Sequence, residues 1–214
     1  MVFSKTVGYR HASIETGVKC IEQLGYEHQF LVDHSEEAAV FLSDSLSTYD
    51  AVIFLSSSGD IFNSEQEKAF QSYVKAGGAV MGIHGATTTE YEWPWFNQLM
   101  GAYFDNHPEI QTADFDVVDP NHPSTRQLPT RFQMEDEFYN FYSIQPGLKP
   151  LIRIDESSYE GGKHGDNHPI AWYHTFEGSR VFYTALGHRK ELYQDSVFVQ
   201  HLMGGISYVL RRED

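Results

Sequence analysis

Apolar and polar positions alternate along the first half of the chain in blocks that are typical of an α/β protein. Two uninterrupted apolar runs, at residues 51–55 and 79–83, predict central strands that are buried on both faces of a sheet. The weaker patterns around them predict further strands at residues 2–6 and 27–32, and helices at residues 14–24, 35–44 and 65–75. Gly25 is expected to end the first of these helices. Such a strand–helix alternation predicts a mostly parallel sheet with helices on both faces, which is a three-layer α/β/α arrangement.

The second half of the chain is less regular. Pro94 opens a short helical stretch, and Gly101 ends it. The remaining pattern predicts strands at residues 113–118 and 151–154, a strand pair at residues 169–174 and 180–185, and a final helix at residues 196–210. No repeat or linker-like segment divides the chain, so we expect residues 1–214 to form a single domain of ordinary size.

Histidines recur where the predicted strands end. In an open α/β sheet, ligands bind beyond the carboxyl ends of the strands. The loops after the strands therefore share one rim, and His11 and His84 are expected to lie near each other on it. A single histidine at such a place is more often a buried structural residue. Several histidines on one rim favour a functional site, since imidazole serves both in proton transfer and as a metal ligand.

Charge and cysteine content exclude some partners. The 214 residues include 15 Lys and Arg against 30 Asp and Glu, which gives a formal net charge of −15. This acidity argues against binding to nucleic acid or to an anionic membrane surface, because both require positive charge. The single Cys20 fits a reducing compartment, and neither a signal peptide nor a membrane span is visible, so we expect a cytoplasmic protein.

The segment around His84 has the form of a nucleophile elbow with the wrong residue at its centre. Gly82, His84 and Ala86 occupy the places that Gly, Ser and Gly hold in the G-x-S-x-G motif. An acyl-enzyme through serine or cysteine is therefore not expected here. Phosphate-binding loops and zinc-thiolate motifs are also missing from the sequence. In the acidic run Glu135-Asp136-Glu137, a strand would direct Asp136 opposite to its neighbours, so at least one carboxylate could face the rim.

Short motifs, spread in order over almost the whole chain, resemble the ThuA-like family of trehalose-utilisation proteins. They are Gly8-Tyr9-Arg10-His11, Gly82-Ile83-His84, Tyr91-Glu92-Trp93-Pro94-Trp95, Gly101-Ala102-Tyr103-Phe104, His107-Pro108, His122-Pro123, Asp136-Glu137 with Tyr139, and Gly187-His188. The resemblance implies a flavodoxin-like domain similar in fold to the class I glutamine amidotransferases. It also implies a role in disaccharide metabolism, including the processing of 3-keto-glycosides. His84 stands where the amidotransferases carry cysteine, so amidotransferase activity is not implied.

We therefore expect an enzyme that processes a disaccharide or a 3-keto-glycoside by acid/base chemistry, as an isomerase, a lyase or a hydrolase. The expected catalytic residues are His11, His84, Asp136, Glu137 and His188. The expected substrate-binding residues are Arg10, Trp93, Trp95, His107, Tyr139 and Tyr193. A divalent metal on histidine and carboxylate ligands is a variant of the same site. Two alternatives stay open, a non-catalytic carbohydrate-binding or regulatory module and a metal-dependent glycoside hydrolase; a homodimer is a further expectation.

Overall fold

The computed structural model describes residues 1–212. The strands are β1 (Val2–Phe3), β2 (His34–Ser35), β3 (Ala51–Leu55), β4 (Ala79–Ile83), β5 (Tyr103–Asn106), β6 (Gln111–Val117), β7 (Arg131–Asp136), β8 (Asn140–Tyr142), β9 (Lys149–Ile154), β10 (Pro169–Phe176) and β11 (Ser179–Thr184). The helices are α1 (Ile14–His28), α2 (Ser64–Lys75), α3 (Pro94–Met100) and α4 (Ser196–Val209). Short 3₁₀ helices connect several of these elements, including one at His84–Thr88 directly after β4.

Nine of the strands found within residues 1–212 form one sheet, in the order β2-β1-β3-β4-β11-β10-β9-β6-β7. The strands from β2 to β11 in this order are parallel, while β10, β9, β6 and β7 pair antiparallel. The register aligns Leu55 with Ile83 and Ile83 with Thr184, so that β3, β4 and β11 end at the same edge. The parallel core predicted from the sequence is confirmed, and an antiparallel half extends it.

Helices cover both faces of the parallel core. The Phe54 ring of β3 contacts Phe70 of α2 on one face, whereas its neighbour Leu55 lies against Gly17 of α1 on the other. Successive residues of a strand point to opposite faces, so α1 and α2 must lie on opposite sides of the sheet. The same alternation in β11 directs Phe182 towards α4, where it packs against Gly205. The three-layer α/β/α fold is therefore confirmed.

The prediction is wrong between residues 25 and 48. Gly25 does not end α1; the helix continues to His28 and ends at Gln29 in the left-handed conformation, with φ of 59°. Gly25 is needed because a Cβ there would approach the Phe30 carbonyl oxygen to 2.7 Å. Residues 27–32 form no strand, and β2 follows them at His34–Ser35; the helix predicted at residues 35–44 is replaced by two 3₁₀ helices, Ala38–Leu42 and Asp44–Thr48.

Two buried histidines in the layer of α4 predict how stability depends on pH. Burial lowers the pKa of His122 and of His201 to about 4 from the ordinary value of 6.5. Between these values the unfolded chain binds protons that the folded chain does not, so stability rises with pH in this window. We expect the free energy of unfolding, measured by urea titration, to fall as the pH drops from 7 to 5, that is, from about half a unit above to about one and a half units below the ordinary histidine pKa. A His122→Gln variant should show a smaller fall, and equal stability at both pH values would contradict this prediction.

Candidate functional site

His84 begins the turn that leaves β4. Its backbone is in the left-handed region, with φ of 47°, and its side chain is fully buried. The imidazole Nδ1 lies 2.7 Å from the carbonyl oxygen of Ala185, which can only accept a hydrogen bond. Nδ1 therefore carries a proton, and Nε2 lies on the opposite side of the ring. Tyr183 donates its hydroxyl to the His84 carbonyl at 2.8 Å and holds the turn in place.

His11, in the loop after β1, lies beside His84 as the sequence predicts. The two rings make an edge-to-face contact with centroids 4.6 Å apart. Nε2 of His11 is 3.5 Å from the Tyr139 hydroxyl, and its buried Nδ1 has no hydrogen-bond partner among the described residues. Burial lowers the pKa of His11 to about 3, and the imidazoles of His84 and His188 act in the same direction. His11 is therefore a neutral imidazole at pH 7.

The carboxylates at the end of β7 face in different directions, as the strand alternation predicts. Asp136 is completely buried, and it accepts backbone hydrogen bonds from Gly187 and His188 through Oδ2 and from Arg189 through Oδ1, at 2.8, 3.3 and 3.0 Å. Burial raises its pKa. Asp136 thus positions the loop that carries His188 rather than facing a substrate. The sequence predicted Asp136 to be a catalytic residue, but its contacts make it a positioning residue.

Glu137 is the carboxylate that reaches the histidines. Its Oε2 lies 3.5 Å from Nε2 of His84 and 3.2 Å from Nδ1 of His188, and these two nitrogens are 3.3 Å apart. Its other oxygen, Oε1, lies 3.2 Å from Nδ1 of His107. Burial acts to raise the pKa of Glu137, but the hydrogen bond from His188 and the nearby imidazole of His84 outweigh it and hold the pKa far below its usual range.

The pKa of His188 is shifted in the opposite direction to that of Glu137. Burial acts to lower the pKa of His188, yet the hydrogen bond to Glu137 and the charge of that carboxylate raise it. One donor atom from each of His11, His84, Glu137 and His188 lies within 4.8 Å of the others. Imidazole nitrogens with a carboxylate oxygen form the type of donor set that holds a divalent transition metal.

A cavity of about 550 Å³ opens above these residues at the carboxyl edge of the strands. Its walls include Glu137, His11, His107 and the rings of Tyr9, Tyr91, Phe104 and Tyr139. A larger cavity, of about 850 Å³, lies at the amino end of β4 beside Gly77 and Gly78. Because ligands of α/β sheets bind at the carboxyl ends, and the histidine cluster lies there, the smaller cavity is the candidate site.

Four residues predicted to bind or orient substrate lie away from this cavity. Trp93 and Trp95 stack on each other with centroids 4.9 Å apart, and they pack against phenylalanines of the α2–α3 layer. Arg10 points outward and pairs with Glu15 and Glu36. Tyr193 is buried and donates to the Gly187 carbonyl. The two tryptophans lie away from the cavity because their rings pack against other apolar rings. Arg10 points outward because two glutamates lie there.

Three aromatic residues of the cavity wall were not singled out from the sequence. Tyr9 and Tyr91 stand in the motifs quoted above only as neighbours of His11 and Trp93, and Phe104 belongs to a segment, residues 104–108, whose sequence predicts a loop. Phe104 instead belongs to β5, which pairs with β8 as a separate two-stranded sheet. Its ring contacts Tyr139 with centroids 4.4 Å apart. The pairing is non-local, so no local pattern reveals it.

The sequence profile of the ThuA family, described as trehalose utilisation, matches residues 1–209. The chain belongs to the ThuA family. No curated protein sequence matches it. Two solved ThuA-like proteins share its fold: one of Bacteroides uniformis, at 19% identity and a TM-score of 0.80, covers 100% of this chain and 92% of its own. The other, of Parabacteroides merdae, has 20% identity and a TM-score of 0.77, covering 97% and 89%.

A cytoplasmic protein of Salmonella typhimurium also has this fold, at 10% identity and a TM-score of 0.67, with 97% of this chain and 98% of the other covered. At these identities the likeness concerns the fold alone. The ThuA family assignment itself indicates a carbohydrate-related role. Within residues 1–212, none of the helices is both long enough and apolar enough to span a membrane.

Proposed function

We propose that this ThuA-family protein is an enzyme that cleaves or isomerises 3-keto-glycosides by acid/base chemistry. The observation that carries the proposal is the contact between the cavity and the cluster of His11, His84, Glu137 and His188. The cluster offers a neutral imidazole beside a charged group, and these are the two components that proton abstraction next to a carbonyl requires. A location in the cytoplasm belongs to the same proposal.

The cavity walls suit a sugar. Tyr9, Tyr91, Phe104 and Tyr139 present aromatic rings, against which the C–H face of a pyranose can pack. His107 and Glu137 supply polar atoms at the same wall, for hydroxyl groups. The volume of about 550 Å³ lies in the range of small-molecule sites and is large enough for a sugar unit with part of its aglycone.

The chemistry follows from the keto group. A carbonyl at C3 acidifies the C–H bond at C2, and the neutral imidazole of His11 is placed to accept that proton. The electron pair moves towards the keto oxygen, where the positive charge held between His84, His188 and Glu137 stabilises the enolate. Re-formation of the carbonyl then expels the C1 oxygen of the aglycone, which takes the proton from His11. The products are an unsaturated keto sugar and the free aglycone, so that atoms and charge balance.

The test is to incubate the protein with 3-keto-trehalose and other 3-keto-disaccharides, with the corresponding unoxidised disaccharides as controls. We expect loss of the 3-keto compounds only, with release of the second sugar and growth of the ultraviolet absorbance of a conjugated enone. Hydrolysis would release both sugars without that absorbance, and isomerisation would release neither. Saturable binding of the 3-keto compounds without any turnover would contradict an enzymatic function and favour a carbohydrate-binding module.

A further inference from the structure

We propose that His84, His188 and Glu137 bind one divalent first-row transition-metal ion, with Zn²⁺ as the representative ion, through His84 Nε2, His188 Nδ1 and Glu137 Oε2. The fourth coordination position faces His11 and the cavity. The ion site rests on the geometry of these residues alone. Its use as a Lewis acid rests in addition on the proposed function.

The distances between the three donor atoms match those of a metal site. They form a triangle with edges of 3.2, 3.3 and 3.5 Å. Zinc bonds of about 2.0–2.1 Å in a tetrahedron place neighbouring ligand atoms about 3.3–3.4 Å apart. An ion slightly above the plane of this triangle would therefore reach all three atoms at normal bond lengths without moving any side chain. Two histidines and one glutamate, with an open fourth position, are the ligand set of several catalytic zinc sites.

The orientation of the His84 ring also suits an ion. Nδ1 of His84 contacts the Ala185 carbonyl, so Nε2 is the ring nitrogen that faces Glu137 and His188. A cation at the centre of the triangle would contact all three donor atoms at once.

The surrounding residues have the form of outer-shell support. His84 donates its other ring nitrogen to a backbone carbonyl, as metal-bound histidines almost always do. Nδ1 of His107 donates to the carbonyl oxygen of Pro108 at 2.9 Å and lies 3.2 Å from Oε1 of Glu137. This contact involves Oε1, so Oε2 is left for the ion. Asp136 fixes the loop of His188 through three backbone hydrogen bonds.

His11 completes the site on the cavity side. Its ring touches those of His84 and His188, with centroids 4.6 and 5.2 Å away, and its Nδ1 has no hydrogen-bond partner among residues 1–212. A keto oxygen in the fourth position of the ion would lie next to this imidazole. The ion then supplies the positive charge that polarises the carbonyl, and His11 accepts the C2 proton.

The test is to strip the full chain with a chelator, confirm by circular dichroism that it is folded, and titrate it with Co²⁺ and with Zn²⁺. We expect about one ion per chain, intense visible absorption of four-coordinate Co²⁺, and a rise in the thermal unfolding midpoint with Zn²⁺. Glu137→Gln and His188→Gln should each weaken binding by more than about 100-fold, and His107→Gln by about 10-fold. His28→Gln, at an exposed position on α1, is the matched control and should bind as the unchanged chain does.

Absence of stoichiometric binding, or equal binding in Glu137→Gln, His188→Gln and the unchanged chain, would overturn the ion site. These readouts do not depend on turnover, so they separate this inference from the proposed function. If the protein binds the ion but is inactive towards every 3-keto-glycoside, the proposed function is wrong and the ion site stands. Turnover at an unreduced rate in the stripped protein would overturn the Lewis-acid use.

Discussion

A Glu137→Gln variant is expected to process 3-keto-glycosides on the order of 10³-fold more slowly than the unchanged protein, measured as kcat/KM. Glu137 contacts His84, His188 and His107 together. Its carboxylate supplies the negative charge that holds a positive charge beside the cavity, whether a proton or an ion carries that charge. Glutamine keeps the size of the side chain but loses this charge, so the enolate oxygen loses its stabilisation.

Glu109→Gln is the control for this experiment. Glu109 is exposed and lies only two residues from His107, so its replacement changes the net charge by the same amount in the same part of the chain. We expect its kcat/KM to stay within about twofold of the unchanged value, because an exposed charge acts weakly over distance through solvent. Similar rates for Glu137→Gln and Glu109→Gln would exclude Glu137 from the chemistry.

An Asp136→Asn variant is expected to lower the free energy of unfolding by roughly 3 kcal/mol, because a buried acceptor of several hydrogen bonds is changed. The backbone N–H groups of Gly187, His188 and Arg189 all donate to the Asp136 carboxylate. An asparagine amide keeps one acceptor oxygen and turns its NH₂ group towards the remaining donors. The loop loses part of its support, so kcat/KM should fall together with stability. Urea unfolding measured at pH 7 gives the change in free energy.

Asp116→Asn is the control for this measurement. It removes the same charge as Asp136→Asn, but from an exposed side chain instead of a buried one. Asp116 also lies on a strand and accepts from Arg131 at 3.0 Å, but its side chain is 48% exposed. Exposed ion pairs contribute about 0–1 kcal/mol, so this variant should be nearly as stable as the unchanged protein. If Asp136→Asn were equally mild, the loop that carries His188 would have to be held by other contacts.

The parallel core could be predicted from the sequence because its signals are local. The apolar runs that became β3 and β4 need no distant partner to be recognised, and the same is true of the start of α2. There Asn63 accepts from the backbone of Gln66, whose side chain in turn accepts from the Asn63 N–H, which forms a capping box. Gly25 misled the prediction because its role is close packing against Phe30, a contact that local helix-ending rules do not contain.

The site could be predicted in part. His11 and His84 follow parallel strands, so the rule that strand ends share an edge brings them together. Glu137 joins them through an antiparallel strand and the fold of the chain after it. The sequence indicated both Asp136 and Glu137, and no pattern decided between the two. The sequence suggests that Trp93 and Trp95 stack on a sugar, but in the structure their rings pack against Phe62 and Phe70 instead.

Glu137 follows β7, and β7 is the last strand of the sheet, with only β6 beside it. Edge strands are the parts of a sheet that fray first, since half of their backbone groups lack a partner strand. A reactive group at such a place would drift from its partners each time the edge opened. The Asp136 carboxylate bridges this edge to the loop after β11, near the middle of the sheet. The buried Asp136 therefore couples the assembled site to the centre of the sheet, so the site should persist as long as the central strands do, even when the edge strand opens.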